Sequence, residues 1–230
     1  MQPKKIIMLG ATGAVGNQAA LVLAKNSAVN TLTLLGRNPV ENLVGDNIHQ
    51  HKVDIFSPSS YESLIDGHNT AICTLGVGQP SKISKEDFVK IDKNAVLDFA
   101  RACKKSGVSH FELLSSVGAS SSSNSFYLRT KGELEDALQA LEFERLSLFQ
   151  PSMIITPTNR YGLSQAFVLA VMPLLDPVFI GPLKKYRSIL VERLGAAIAM
   201  NLFKAVEDGS SAEILNWADF IRLSKTSKDI

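Results

Sequence analysis

The stretch Ile6-Ile-Met-Leu-Gly10-Ala-Thr-Gly13-Ala-Val-Gly16 decides the fold of this chain. An apolar run typical of a buried strand leads directly into three glycines spaced Gly-x-x-Gly-x-x-Gly, and a helical pattern follows over Val15–Lys25. In such a unit the first glycine permits a tight turn, the second lets the backbone approach a pyrophosphate, and the third lets the helix pack on the sheet. The free N–H groups of the helix N-terminus favour the anion. The pattern predicts a dinucleotide site, with a purely structural turn as the alternative.

Apolar runs and helical patterns alternate along the first two thirds of the chain. Strict alternation predicts an α/β fold, a Rossmann-like doubly wound parallel sheet with helices on both faces. The predicted strands are Lys5–Leu9, Thr31–Leu35, Ile48–Val53, Thr70–Leu75, His110–Ser115 and Glu144–Phe149, and the predicted helices are Val15–Lys25, Ser59–Ile65, Lys85–Ser106 and Phe126–Leu141.

The regular alternation fades after Pro151. Five prolines in Pro151–Arg187 predict irregular structure around one helix, and the apolar run Ala166–Leu175 is interpreted as a buried or lid helix, with membrane-surface contact as the weaker alternative. Val191–Val206 has an amphipathic helical pattern. No linker is visible, so we expect one domain, 1–230, in which 151–230 completes the substrate pocket.

The composition excludes several classes of protein. The net charge of +2 is small and the basic residues are scattered, which argues against nucleic acid as a partner. The longest apolar run has half the length of a transmembrane helix, and no metal site is predicted. The two cysteines, Cys73 and Cys103, form no pairing motif, so a structural role and a reducing, cytoplasmic location are expected. The weaker alternative is a lowered thiol pKa at Cys103, which lies beside Lys104 and Lys105.

The end of the second strand indicates which dinucleotide is bound. The strand ends in Leu34-Leu-Gly-Arg37-Asn-Pro39, and no carboxylate follows until Glu41. An acidic side chain at this position would hold the ribose 2′-hydroxyl of NAD, whereas an arginine suits the 2′-phosphate of NADP. Arg37 therefore favours NADP over NAD, with a solvated turn arginine as the alternative.

A second group of residues is suited to proton transfer. Tyr127 and Lys131 are four residues apart on a predicted helix and share one face. A neighbouring ammonium stabilises a phenolate and so brings a phenol toward the working range of an acid–base catalyst. The preceding strand ends in Ser115-Ser116, where a hydroxyl can hydrogen-bond to a substrate carbonyl. Both Ser115 and Ser116 are candidates for this role.

These motifs, in this order, resemble the short-chain dehydrogenase/reductase superfamily. Gly-Ala-Thr-Gly-Ala-Val-Gly, Leu-Leu-Gly-Arg-Asn-Pro, Leu-Leu-Ser-Ser-x-Gly-Ala and Tyr-Leu-x-x-Lys-Gly-Glu-x-Glu are similar to its atypical branch, above all to the Tat-interactive-protein-type oxidoreductases and their bacterial relatives. The likeness covers nearly the whole chain, up to Val191–Ile198.

The resemblance implies a role for individual residues. The pyrophosphate loop is Gly10, Thr12, Gly13, Ala14, Val15 and Gly16. Arg37 matches the residue that binds the 2′-phosphate, Asp54 and Ile55 match the residues that contact the adenine, and Leu75 and Gly76 match the loop beside the cofactor. Ser116, Tyr127 and Lys131 match the catalytic residues. One departure is Gln150-Pro151-Ser152, where relatives often have Arg-Pro-Gly.

Two functions follow from this resemblance. The first is an NADP-dependent oxidoreductase that transfers hydride to or from a carbonyl or alcohol, with a small-molecule substrate. The second is an NADP-binding regulatory or scaffold protein with little or no turnover. An epimerase or dehydratase that uses the cofactor transiently is a further variant. A homodimer or a protein partner is compatible with either function.

Overall fold

A computed structural model describes residues 3–156, 176–204 and 211–226 of the chain. The strands in these ranges are β1 Lys4–Leu9, β2 Val29–Gly36, β3 Ile48–Lys52, β4 Thr70–Cys73, β5 His110–Leu114, β6 Arg145–Phe149, β7 Ile154–Ile155, β8 Ile189–Leu190 and β9 Ala212–Leu215. Seven of these described strands form one sheet in the order β3-β2-β1-β4-β5-β6-β9, and every pairing in it is parallel. Strands β7 and β8 form a separate parallel pair.

Helices cover both faces of the sheet. Their bounds are α1 Ala14–Lys25, α2 Glu62–Ile65, α3 Lys85–Val89, α4 Val96–Lys105, α5 Phe126–Gln139, α6 Val191–Asn201 and α7 Trp217–Thr226. A π-helical segment, Lys90–Ala95, joins α3 to α4. One apolar core lies between the sheet and α1, α6 and α7, and the other lies between the sheet and α2, α4 and α5. The doubly wound α/β fold expected from the alternating pattern is therefore confirmed.

Both cysteines are free and lie in the second of these cores. Burial raises the pKa of Cys73 to about 12 and raises that of Cys103 well above its ordinary value. Neither thiol is therefore a reactive thiolate at neutral pH, which agrees with the structural role expected from the sequence.

The alternation of strand and helix continues after Pro151, which the sequence pattern did not predict. Strand β9 extends the sheet beside β6, and α7 follows it. The four residues of β9 form an edge strand with only Leu215 fully buried, so its apolar signal is weak. Helix α6 begins at Val191 as expected and is described to Asn201. The predicted helix Ala166–Leu175 lies outside the described residues.

In residues 3–156, 176–204 and 211–226, no helix combines the length and apolarity needed to cross a bilayer. In the same ranges, no group of three or more histidine, cysteine, aspartate or glutamate side chains is arranged to hold a metal ion.

Candidate active site

The glycine turn, formed by Gly10 to Gly16, joins β1 to α1 and is closely packed against neighbouring backbone. Gly10 has a φ of +97°, and a Cβ on it would lie 2.6 Å from the backbone nitrogen of Leu75. A Cβ on Gly16 would overlap the carbonyl oxygen of Gly10 and the hydroxyl of Thr74. These glycines let the turn lie directly against the end of β4, which brings α1 close to the sheet.

The N-terminus of α1 is open to an anion. Gly13 is the N-cap residue, no side chain caps the helix, and its first turn carries no acidic residue. Its first N–H groups therefore lack a side-chain partner. A cavity of about 350 Å³ lies beside Gly13, Ala14 and Val15. This backbone cradle fits a pyrophosphate.

The turn also lies at the topological switch point of the sheet. The strand order reverses between β1 and β4, so the loops that follow these two strands leave toward opposite faces. Ligands of doubly wound folds bind in the crevice that this reversal opens at the carboxyl ends of the strands. The glycine turn and the loop from Thr74 to Gly76 form the two sides of that crevice.

A second cavity, of about 190 Å³, lies at the ends of β2 and β3. Its wall includes Thr12 of the glycine turn together with Gly36, Asn38 and Lys52. Arg37 lies between two of these lining residues and is exposed, without contributing to the wall itself.

The predicted adenine-contact residues lie just beyond β3. Asp54 is exposed and its carboxylate accepts a hydrogen bond from the backbone N–H of Phe56 at 2.9 Å, whereas Ile55 is buried in the core. The turn is thus fixed by its own hydrogen bonds. Neither residue lines the second cavity.

A third cavity, of about 230 Å³, brings Tyr127 and Lys131 together with Leu75 and Gly76. Ser125 caps α5 by accepting a hydrogen bond from the backbone N–H of Leu128, which places Tyr127 in the first helical turn. Four residues on, Lys131 shares its face. This cavity shares several walls with the one beside Gly13, including Thr74 and Leu114.

Lys131 is buried, at 4% exposure, and its ammonium is paired with Asp92 at 2.8 Å. Burial by itself lowers the pKa of Lys131, but the Asp92 carboxylate and Tyr127 more than offset this effect, so the pKa is raised. Lys131 is therefore a fixed cation beside the phenol of Tyr127 at neutral pH.

Asp92 is a site residue that the sequence analysis missed. It lies in the π-helical segment, is 1% exposed, and its second carboxylate oxygen accepts a hydrogen bond from the backbone N–H of Val77 at 2.8 Å. A π-helical turn within an α-helix often marks a functional site. The sequence carries one signal for Asp92. Phe88, Asp92 and Val96 are four residues apart and so share a helix face, on which Asp92 is the one charged residue among apolar neighbours.

The serine in the wall of the third cavity is Ser115, whereas the sequence analysis favoured Ser116. The backbone N–H of Ser115 continues the β5–β6 ladder by donating to the carbonyl of Phe149 at 2.8 Å. The adjacent Ser116 does not line this cavity, whereas Leu114, on the other side of Ser115, does.

Beneath Ser115 lies a buried carboxylate, Glu135, that the sequence analysis also missed. The Ser115 hydroxyl donates to Glu135 Oε1, and Gln150 Nε2 donates to both carboxylate oxygens at 3.0 and 2.9 Å. Burial raises the pKa of Glu135. Glu135 is one helical turn after Lys131, a spacing that could have indicated a shared face.

This geometry defines a class of protein. A parallel Rossmann-like sheet with a glycine turn at its switch point, and a cavity holding tyrosine and a buried lysine beside it, is the arrangement of NAD(P)-binding proteins of the dehydrogenase type. The sequence pattern of the NAD(P)H-binding family matches residues 10–147. The chain belongs to this family and is an atypical short-chain dehydrogenase/reductase-like protein.

Its sequence relatives include two differently named proteins. Protein HTATIP2 of Rattus norvegicus is 35% identical over 157 residues, which are 67% of this chain and 64% of the rat protein, slightly under two thirds of its length. The mitochondrial protein FMP52 of Meyerozyma guilliermondii is 32% identical over 213 residues, 91% of this chain and 88% of the yeast protein.

Solved structures share the fold at low identity. MoeE5, bound to UDP-glucuronic acid and NAD, has a TM-score of 0.69 at 16% identity, covering 92% of this chain and 76% of its own. The UDP-glucuronic acid 4-epimerase of Bacillus cereus, bound to NAD, has a TM-score of 0.69 at 14% identity, covering 92% and 78%. These two proteins bind NAD, and at such identities the likeness concerns the fold alone.

Proposed function

We propose that this protein is an NADP-dependent oxidoreductase that transfers hydride to or from a small carbonyl or alcohol substrate. The observation that carries the proposal is the third cavity, in which Tyr127, the buried Lys131 and Ser115 meet next to the glycine turn. A protein that only holds a cofactor has no need for a phenol beside a buried ammonium.

Each side chain has a distinct part in the proposed reaction. The bound nicotinamide supplies or accepts the hydride. Tyr127 gives a proton to the substrate oxygen during reduction and takes it back during oxidation. Lys131 stabilises the phenolate form of Tyr127, and Asp92 holds Lys131 in place through their 2.8 Å ion pair. Ser115, in place of the expected Ser116, contacts the substrate oxygen.

The cofactor would extend along the carboxyl edge of the sheet. Gly13 and the start of α1 would hold the pyrophosphate with backbone N–H groups. Asp54 and Ile55 would contact the adenosine half, and Leu75 and Gly76 would contact the nicotinamide half. Arg37, exposed at the end of β2, pairs with the 2′-phosphate and so favours NADP over NAD.

The direct test of this mechanism is Tyr127→Phe. Removing the phenolic hydroxyl removes the proton donor, so kcat for reduction of para-nitrobenzaldehyde by NADPH should fall by about 100-fold or more, the usual contribution of a general acid. Cofactor affinity, measured by NADPH fluorescence, should be unchanged. Tyr186→Phe, at an exposed tyrosine, is the matched control. Full activity in the Tyr127→Phe variant would exclude the assigned mechanism.

A second function is favoured by the names of the sequence relatives. Neither HTATIP2 nor FMP52 is named for a reaction. The second candidate is therefore an NADP-binding regulatory or scaffold protein. It predicts tight cofactor binding without turnover of any carbonyl or alcohol in a broad panel, an outcome that separates it from the first candidate.

The cysteine content supports a cytoplasmic location, since both thiols are free. The word mitochondrial in the names of the FMP52 relatives points to a different compartment for those proteins. Cell fractionation with an antibody to the chain separates the two: co-sedimentation with mitochondria would rule out the cytoplasmic proposal.

A further inference from the structure

Glu135 controls a hydrogen bond at the edge of the candidate active site. It is only 5% exposed and lies between α5 and the ends of β5 and β6. Its Oε1 atom accepts the hydroxyl proton of Ser115, and both of its oxygens accept hydrogen bonds from Gln150. Ser115 itself lines the cavity that contains Tyr127 and Lys131.

The direction of the Ser115 hydrogen bond decides what the serine offers to a substrate. A hydroxyl has one proton and two lone pairs. While Glu135 is ionised, it holds the proton of Ser115, so the serine presents only lone pairs to the cavity. In that state Ser115 can accept a hydrogen bond from an alcohol but cannot donate one to a carbonyl.

Protonation of Glu135 reverses this arrangement. The carboxylic acid then has a proton of its own and donates it to Ser115 Oγ. The serine proton becomes free to point into the cavity, where it can bond to a carbonyl oxygen. No covalent bond changes beyond the uptake of one proton from water by Glu135.

We propose that the protonation state of Glu135 sets the hydrogen-bonding direction of Ser115, so that carbonyl reduction and alcohol oxidation respond to pH in opposite ways. Glu135 is a positioning residue in this scheme, since it acts through Ser115. The kinetic part rests on the proposed oxidoreductase function, whereas the coupling between the two side chains does not.

Burial is the main reason that the pKa of Glu135 is raised above its ordinary value. Hydrogen bonds from Ser115 and Gln150 and the charge of Lys131 oppose the effect of burial. The charge of Asp136 adds to it, and the net result is a raised pKa. From the neighbouring helix, Asp92 pairs with Lys131 and so offsets part of its charge. Gln150 contributes hydrogen bonds without a charge.

The coupling can be measured without any substrate. NMR of isotope-labelled glutamate carboxyl carbons follows the titration of Glu135, with its signal assigned from Glu135→Gln. Ser115→Ala removes a donor that stabilises the ionised carboxylate, so the midpoint should rise by about one pH unit, the size expected for a hydrogen bond to a charged group. Ser116→Ala should leave the midpoint unchanged. An unchanged midpoint in Ser115→Ala would overturn the proposal.

The kinetic consequence is tested with para-nitrobenzaldehyde and its alcohol. In the unmodified chain, kcat/KM for reduction should fall as pH rises through the Glu135 midpoint, while kcat/KM for oxidation rises. Glu135→Gln keeps an amide donor toward Ser115, so reduction should persist and lose this pH dependence. A pH limb that persists at the Glu135 midpoint in Glu135→Gln contradicts the proposal. A chain with no turnover at all refutes the oxidoreductase function instead, and the NMR titration then decides the coupling alone.

Discussion

Asp92 determines the charge state of the candidate active site. It pairs with Lys131 inside the protein, where both side chains are at most 5% exposed. A buried pair of this kind adds little net stability compared with apolar residues, but losing one partner leaves an isolated charge in a medium that solvates it poorly. The pair is therefore better explained by its position beside Tyr127 than by a need for stability.

Asp92→Asn is expected to lower the free energy of unfolding at neutral pH by about 3–5 kcal/mol, the usual effect of removing one member of a buried pair. The pKa of Lys131 should also fall, because burial remains while its counter-charge is gone. Urea unfolding measures the first effect. Lys93→Ala, which breaks the more exposed ion pair between Lys93 of the π-helical segment and Glu133 of α5, should cost less than about 1 kcal/mol. Equal losses in the two variants would contradict this account.

Glu112 lies in the middle of β5, on the side of the sheet covered by α6, and makes the free energy of unfolding depend on pH. Burial raises the pKa of Glu112 to about 8. Asn201 donates a hydrogen bond to the carboxylate at 2.8 Å, which opposes part of this increase. An unfolded glutamate titrates near ~4.3. Between these values the folded protein holds a proton that the unfolded chain has lost, so the free energy of unfolding decreases as pH rises from about 4 to 8.

Glu112→Gln removes this dependence, because an amide does not titrate and still accepts the Asn201 hydrogen bond. Relative to the unmodified chain, the variant should become more stable as pH rises from 5 to 8, with a slope of up to ~1.4 kcal/mol per pH unit. Chemical denaturation across this range measures the slope. Glu192→Gln, at an exposed position on α6, is the control. A difference between variant and parent that does not change with pH would refute the assignment.

At the scale of elements, the position of α1 depends on α6. Gly195 of α6 faces Gln18 and Ala19 of α1, and a Cβ on it would lie 2.8 Å from the Ala19 nitrogen. Gly195→Ala must push α1 outward, so we expect a loss of about 1–3 kcal/mol in the free energy of unfolding, the usual effect of overpacking. Cofactor affinity should fall too, since the N-terminus of α1 borders the glycine turn.

Thermal denaturation and cofactor titration of the same samples measure both effects of Gly195→Ala. Arg193→Ala is the matched control, because Arg193 is exposed on the same helix. If Gly195→Ala is as stable as Arg193→Ala, the close packing of the two helices does not determine where α1 lies.

The buried strands and most of the helices were predictable from the sequence, whereas the π-helical segment and the short edge strand β9 were not. Apolar runs and helical periodicity predicted the first six strands of the sheet and most of the helices between them. The π-helical segment Lys90–Ala95 was missed because one wider turn hardly changes the spacing of apolar residues along a helix. Strand β9 was missed because it is short and half-exposed.

The candidate site shows the same division. Tyr127 and Lys131 were predictable because their spacing is local to one helix. The choice between Ser115 and Ser116 depends on where β5 ends and which way each side chain then points. Glu135 was missed because its partners come from other elements, Ser115 after β5 and Gln150 after β6.

At the scale of the whole molecule, the cavities follow the carboxyl edge of the sheet from the ends of β2 and β3, past the glycine turn, to Tyr127. A dinucleotide in this position would contact several parts of the fold. At a concentration of 100 times Kd, NADP should stabilise the protein by ~2.7 kcal/mol, which corresponds to an increase in Tm of roughly 5–10 °C for a chain of this size.

Arg37→Ala tests the choice of cofactor on the same scale. The increase in Tm with NADP should shrink to the value seen with NAD, because the 2′-phosphate loses its guanidinium partner. The increase with NAD should be unchanged. Arg101→Ala, at an exposed arginine paired with Asp98, is the control. An equal loss with both dinucleotides would disprove the role assigned to Arg37.

Because both cysteines are buried, the rate at which each thiol is labelled measures how often the structure around it opens. A water-soluble disulfide reagent cannot reach Cys73 or Cys103 until the structure around each thiol separates. Cys73 ends the strand that leads into the loop from Thr74 to Gly76, whereas Cys103 lies near the carboxyl end of α4. The ratio of their labelling rates thus distinguishes opening of the crevice alone from unfolding of the whole core layer, without any engineered label.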